Sequence, residues 1–100
     1  FSSSTISSRF YSLRKQCLSE IKKSQTNIRL SRNHVGNLSG KCTRFQKRYP
    51  ASTYAPRVLY LAGRMWEELY YTSDRFSDLN QALKFYGKIT VLYTFSNLSD

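Results

Sequence analysis

Few side chains in this 100-residue chain are equipped for chemistry. There is one histidine, His34, two cysteines, Cys17 and Cys42, and glutamate only at positions 20, 67 and 68. A hydrolytic zinc site takes three or four His, Cys or carboxylate ligands. A single histidine and two cysteines without zinc-like spacing leave that chemistry short of donors, so no metal site or cofactor is expected within the chain. His34 is expected as a surface or half-buried residue at the start of a helix. A Cys–His nucleophile needs a thiol in polarising surroundings, whereas both cysteines fall on apolar helix faces. They read either as two small buried hydrophobes or as a disulfide stapling the first hairpin in an oxidising compartment. From a turn near Asn27, Cys17 lies ten residues back and Cys42 fifteen forward, which leaves the bond geometry open. Asn37-Leu38-Ser39 and Asn97-Leu98-Ser99 match the glycosylation sequon. Such triplets are frequent by chance, Asn37 falls within an expected helix, and neither is taken as a site.

Charge is the stronger signal. Residues 1–50 hold eleven Lys/Arg against one acid, Glu20, and residues 51–100 hold five against five, so the whole +10 falls in the first half. Such a surface attracts phosphates, acidic glycans, anionic lipid headgroups or an acidic protein, and charge alone does not choose among them. Lys41, Arg44 and Arg48 recur at helical spacing beside the expected buried face of the second helix, with Lys47 nearby. Lys22, Lys23, Arg29 and Arg32 cluster about the first interhelical turn. These eight are the candidate partner-binding residues. Tyr60, Tyr70 and Tyr71 suit a half-buried wall, in helix packing or against a sugar.

Helices must position these groups. Ile6, Phe10, Leu13, Cys17 and Ile21 predict a first helix from about Thr5 to Lys23, broken by Ser24 to Asn27. Val35, Leu38, Cys42, Phe45 and Tyr49 predict a second, from about Ser31 to Tyr49, which Gly36 and Gly40 weaken by roughly 1 kcal/mol each. Ser52 is the expected N-cap of a third helix with Pro56 in its first turn. Its stripe is Ala55, Leu59, Ala62, Met65 or Trp66, and Leu69, and Ala62-Gly63 make a thin spot where another helix approaches. A fourth starts near Ser77 or Asp78, with Gln81 as capping partner, and repeats Leu79, Ala82, Tyr86, Ile89 and Tyr93. No apolar run reaches the roughly 18–20 residues that span a membrane.

The second and fourth helices end alike: Tyr49 to Tyr54 lies 44 positions before Tyr93 to Leu98. Helix pairs repeating at such a period signal a solenoid. The fold class expected is all-α, with two antiparallel hairpins (about 5–49 and 52–94) in a single domain, and the start of a further repeat at 96–100 in a truncated array. Leu59, Ala62, Gly63 and Trp66, followed by Ala82 and Tyr86, resemble a tetratricopeptide-like repeat. Trp66 to Ala82 is 16 positions, longer than the standard repeat allows, so the hairpin is extended.

A narrower resemblance covers about Tyr11 to Asp100. Tyr49-Pro50-Ala51-Ser52, Ala55-Pro56-Arg57, Leu61-Ala62-Gly63-Arg64, Glu67-Glu68-Leu69-Tyr70 and Ser77-Asp78-Leu79 are similar to the N-terminal region of some bacterial N-acetylmuramoyl-L-alanine amidases. Ile21-Lys22-Lys23-Ser24 and Lys41-Cys42-Thr43-Arg44-Phe45 follow the same pattern. Two family features are missing: Thr94 stands where the second helix-ending proline belongs, and the basic stretch Lys22 to Arg32 lacks the family's aromatic and acidic details. The resemblance implies a non-catalytic, periplasmic or cell-envelope module that binds a protein partner or peptidoglycan. The zinc and the hydrolysis would belong to a separate domain downstream of Asp100. Two other classes compete. One is a basic nucleic-acid binder, for which no helix-turn-helix, zinc or RNA-binding motif accompanies the charge. The other is a free-standing scaffold that self-associates through an apolar end at Leu92, Phe95 and Leu98.

Overall fold

The computed structural model describes residues 3–93. It contains four helices, α1 (Ser3–Gln25), α2 (Arg32–Arg48), α3 (Ala55–Ser73) and α4 (Phe76–Leu92), with no strand among the described residues. The order and number match the periodicity, and the differences lie at the ends. Ser24 and Gln25 still belong to α1. The chain leaves that helix through Asn27, whose φ of 64° an asparagine tolerates, while Ile28 N–H closes back on Lys23 O. Ser31 caps α2, its hydroxyl accepting from His34 N–H at 3.3 Å.

Two expected caps are corrected. The N-cap of α3 is Tyr54, not Ser52. Ser52 belongs to the preceding turn, its hydroxyl accepting from Tyr54 N–H and its carbonyl from Ala55 N–H, while Pro56 does sit in the first turn. In α4 the N-cap is Arg75, and Asp78 lies inside the first turn, 1% exposed. Its carboxylate accepts from Arg32 Nε and Nη2 at 3.0 and 2.7 Å and from the Ser73 hydroxyl at 2.6 Å. An aspartate three residues into a helix reads as a cap from sequence. The cation that claims it lies 46 positions away.

α3 is the central helix. It packs against the other three and buries Ala55, Val58, Leu59, Leu61, Ala62, Met65, Trp66 and Leu69, apolar on two faces because it has neighbours on both. α1 contributes Phe10, Leu13, Cys17 and Ile21 to the same core, and α2 contributes Val35, Leu38, Cys42 and Phe45. From α4 the buried residues are Asp78, Ala82 and Phe85, with Tyr86 and Ile89 only partly covered. The expected stripe omitted Phe85. The thin spot at Ala62-Gly63 is filled as anticipated: the Tyr86 ring of α4 lies directly against Gly63.

The polar bonds give the arrangement of the hairpins. Ser7 meets Tyr54, Ser24 meets Glu68, Arg32 meets Asp78, and Gln46 meets Tyr93, at sequence separations of 44–47. These four contacts set the first hairpin in the same orientation as the second, so α1 runs parallel to α3 and α2 to α4. The shortest dimension, 19 Å, is two helix layers. Residues 94–100, which include the expected further repeat and Phe95 and Leu98, lie outside the described residues. Leu92, at the end of α4, is half exposed.

The Arg32–Asp78 bond carries a pH prediction. Arg32's hydrogen bond, helped by Ser73's, holds the Asp78 carboxyl below its ordinary value against the effect of burial. A depressed folded value means the stabilisation is fully present above the unfolded pKa, about 3.9, and is lost as pH falls through the folded one. Asp78→Asn should therefore cost about 1–2 kcal/mol near neutrality, a figure reduced because Arg32 can turn to water. Urea melts of both proteins should converge as the pH drops below about 4. A gap that stays constant to pH 2 would remove the ion pair from this account.

Candidate cationic groove

α1 and α2 run antiparallel, which brings Ser8, Arg9, Ser12 and Gln16 opposite Lys41, Arg44, Arg48 and Tyr49 along an open groove of about 520 Å³. Leu13 and Phe45, both buried, form its floor. At one end Lys41 Nζ donates to Gln16 Oε1 at 3.3 Å, and at the other the Arg48 guanidinium lies 5.6 Å from the Tyr49 ring centroid. Along α2 the three cations step by about 4.5 and 6 Å, from a rise of about 1.5 Å per residue. Among the described residues no carboxylate lines the groove. The one acid of the first half, Glu20, is buried between Lys23 Nζ at 2.9 Å and His34 Nε2 at 3.3 Å. Arg9, Lys41, Arg44 and Arg48 thus present four cations, with serine hydroxyls as further donors, in a row that an extended anion can follow.

Of the eight candidate cations, three line this groove: Lys41, Arg44 and Arg48. Lys47 is exposed on the same helix outside it. The first-turn cluster does not form one site. Lys23 is bonded to Glu20 and Arg32 to Asp78, Arg29 lines a notch with Arg32 and Arg75, and Lys22 faces a trough between α1 and α3. Arg9, Ser8 and Ser12 were missed, because α1 read alone shows only an apolar stripe with polar flanks. Setting α1 antiparallel to α2 with Cys17 near Cys42 would have found them.

No family model, curated protein or solved structure matches the chain. The groove therefore rests on its own geometry.

The remaining chemistry-bearing groups are tied into the fold. Glu67 accepts from the hydroxyls of Tyr71 and Tyr86, each at 2.7 Å, and those bonds, Tyr86's first, hold its carboxyl below the ordinary range. Glu68 accepts from Arg64 at 2.9 Å and Ser24 at 3.0 Å. This pair links α3 to α4 and α1. Tyr60 and Tyr71 are exposed beside it, and Tyr70 is half-buried. Among the described residues no three of His, Cys, Asp and Glu gather closely enough to hold a metal. Cys17 and Cys42 are free thiols in the core, their sulfurs 3.7 Å apart. Among the described residues no helix is long and apolar enough to cross a membrane.

Proposed function

We propose that this chain is a non-catalytic helical-repeat module that holds an anionic partner in the groove between α1 and α2. The observation that carries the proposal is the alignment of Arg9, Lys41, Arg44 and Arg48 over an apolar floor with no carboxylate among them. Two hairpins stacked in the same orientation support a tetratricopeptide-like reading, in which such modules position other proteins or polymers. In the cell-wall setting that the amidase resemblance implies, the anion is a carboxylate of the peptidoglycan peptides or an acidic segment of a protein partner. The hydrolase then occupies a separate domain, and the module sets where it acts. Charge also admits a nucleic acid, and the same assay separates the two.

Sedimentation with purified peptidoglycan and titration with a fluorescent oligonucleotide, at low and near-physiological salt, test the proposal. Retention on peptidoglycan that weakens as the ionic strength passes about 0.15 M, where screening reaches about 8 Å, is the expected result. Binding to the oligonucleotide alone, with a steep salt slope, would move the groove to the nucleic-acid class. Absence of binding to both, and to an acidic polypeptide, at low salt would remove the anion-binding reading.

A further inference from the structure

We propose that Cys17 and Cys42 are the two halves of a reversible intramolecular disulfide that staples α1 to α2 beneath the cationic groove. Both residues are 0% exposed, and their sulfurs lie 3.7 Å apart. A disulfide needs about 2.05 Å, so the two must close by about 1.7 Å. The register is already set, because the adjacent pair, Gln16 and Lys41, is hydrogen-bonded across the same seam. α1 and α2 touch each other less than either touches α3, so the seam can tighten without disturbing the centre of the core. The residues are 25 positions apart, so the bond would close a loop containing the whole first interhelical turn.

The two thiols are also unequal. The hydrogen bond between the two thiols, together with nearby Lys41, lowers the Cys17 thiol below its ordinary value, against burial and Glu20. The same bond and burial push Cys42 up. Once deprotonated, the Cys17 sulfur can attack. Its thiolate attacks a small disulfide oxidant of the glutathione type and expels one thiolate, leaving a mixed disulfide. Cys42 then gives up its proton, attacks the Cys17 sulfur and expels the second thiolate. Two electrons pass to the oxidant, and the two protons end on the two released thiols. Because both sulfurs are buried, the oxidant reaches them only when α1 lifts or before it docks in folding. Exchange in the native protein is accordingly slow, and mild denaturant accelerates it.

The inference does not depend on anion binding, since its readout is the state of the sulfurs. The whole chain is refolded in glutathione buffers of graded redox poise and compared with the reduced protein by thiol titration, intact mass and thermal melting. The expected result is loss of both free thiols and of two hydrogens in mass, as a monomer, with Tm raised by roughly 10–20 °C and reversed by a dithiol reductant. Cys17→Ala and Cys42→Ala, which add no buried hydroxyl, should show neither the internal bond nor the gain. Two thiols that persist into the most oxidising buffer would overturn the proposal. So would only mixed disulfides or cross-linked dimers, or an oxidised form that melts below the reduced one.

Discussion

Gly63→Ala should destabilise the protein by about 2 kcal/mol and lower Tm by roughly 8–16 °C, although alanine is the better helix former by about 1 kcal/mol. A Cβ at Gly63 would stand 2.4 Å from Tyr86 Cε1, 2.7 Å from Cδ1 and 2.9 Å from Cζ, well inside contact distance. The ring cannot swing aside freely, because its hydroxyl donates to Glu67 at 2.7 Å and its face lies against α3. Either the ring leaves and that bond is lost, or α4 moves off the central helix. Gly36→Ala is the matching control. A Cβ there meets nothing within 4 Å, so the same substitution should stabilise by up to about 1 kcal/mol. The decisive measurement repeats Gly63→Ala in a Tyr86→Ala background, where the penalty should vanish or change sign. Chemical denaturation of the four proteins completes the cycle. A penalty that survives the loss of the ring would place its cause elsewhere.

That contact shows how far periodicity carries. Ala62-Gly63 stands out as a gap in an otherwise bulky helix, and the residue filling it, Tyr86, is itself on the expected stripe of α4. Both halves of the contact are legible because each is a local departure from pattern. Phe85 was not legible. The inner face of α4 spreads over two adjacent lines, through Asp78, Ala82 and Phe85 and through Tyr86 and Ile89, and the 3-4-3-4 stripe steps from Ala82 on the first line to Tyr86 on the second, passing over Phe85. The caps failed for another reason. Ser52 and Asp78 both carry N-cap chemistry, but the six-residue turn before α3 consumes the first and an arginine from the other hairpin consumes the second. Local propensity cannot see a partner 46 positions away.

The candidate site divides along the same line. Lys41, Arg44 and Arg48 are visible because they recur on one helix, whereas Arg9, Ser8 and Ser12 become part of the groove only through the antiparallel packing of α1 on α2. Conversely, Lys23 and Arg32 look available in sequence and are engaged by Glu20 and Asp78. A basic half-chain thus resolves into cations that hold the fold and cations that face outward without a carboxylate beside them.

The outward set can be tested with two variants of equal net charge. Arg44→Glu with Arg48→Glu changes the charge by four units inside the groove, and Lys22→Glu with Arg29→Glu changes it by four units outside. Both pairs are exposed, and neither carries a salt bridge among the described residues. Circular dichroism should therefore show both variants folded, apart from a small cost of about 0.3–1 kcal/mol in each, for reversing Arg48 in the last turn of α2 and Lys22 in the last turn of α1. If the anion lies in the groove, the first variant loses direct ion pairs and gains repulsion at contact distance. Its affinity for the anion should fall about 100-fold, or about 2.7 kcal/mol. The second variant loses only the long-range attraction of a positive surface, which should cost a few-fold at low salt and disappear near 0.15 M, where charges more than about 8 Å away are screened. Fluorescence anisotropy with a labelled acidic peptide, run at both salt concentrations, separates these outcomes. Equal losses in the two variants would mean that the charge of the first half acts as a diffuse field, and that the row of cations between α1 and α2 is not where the partner sits.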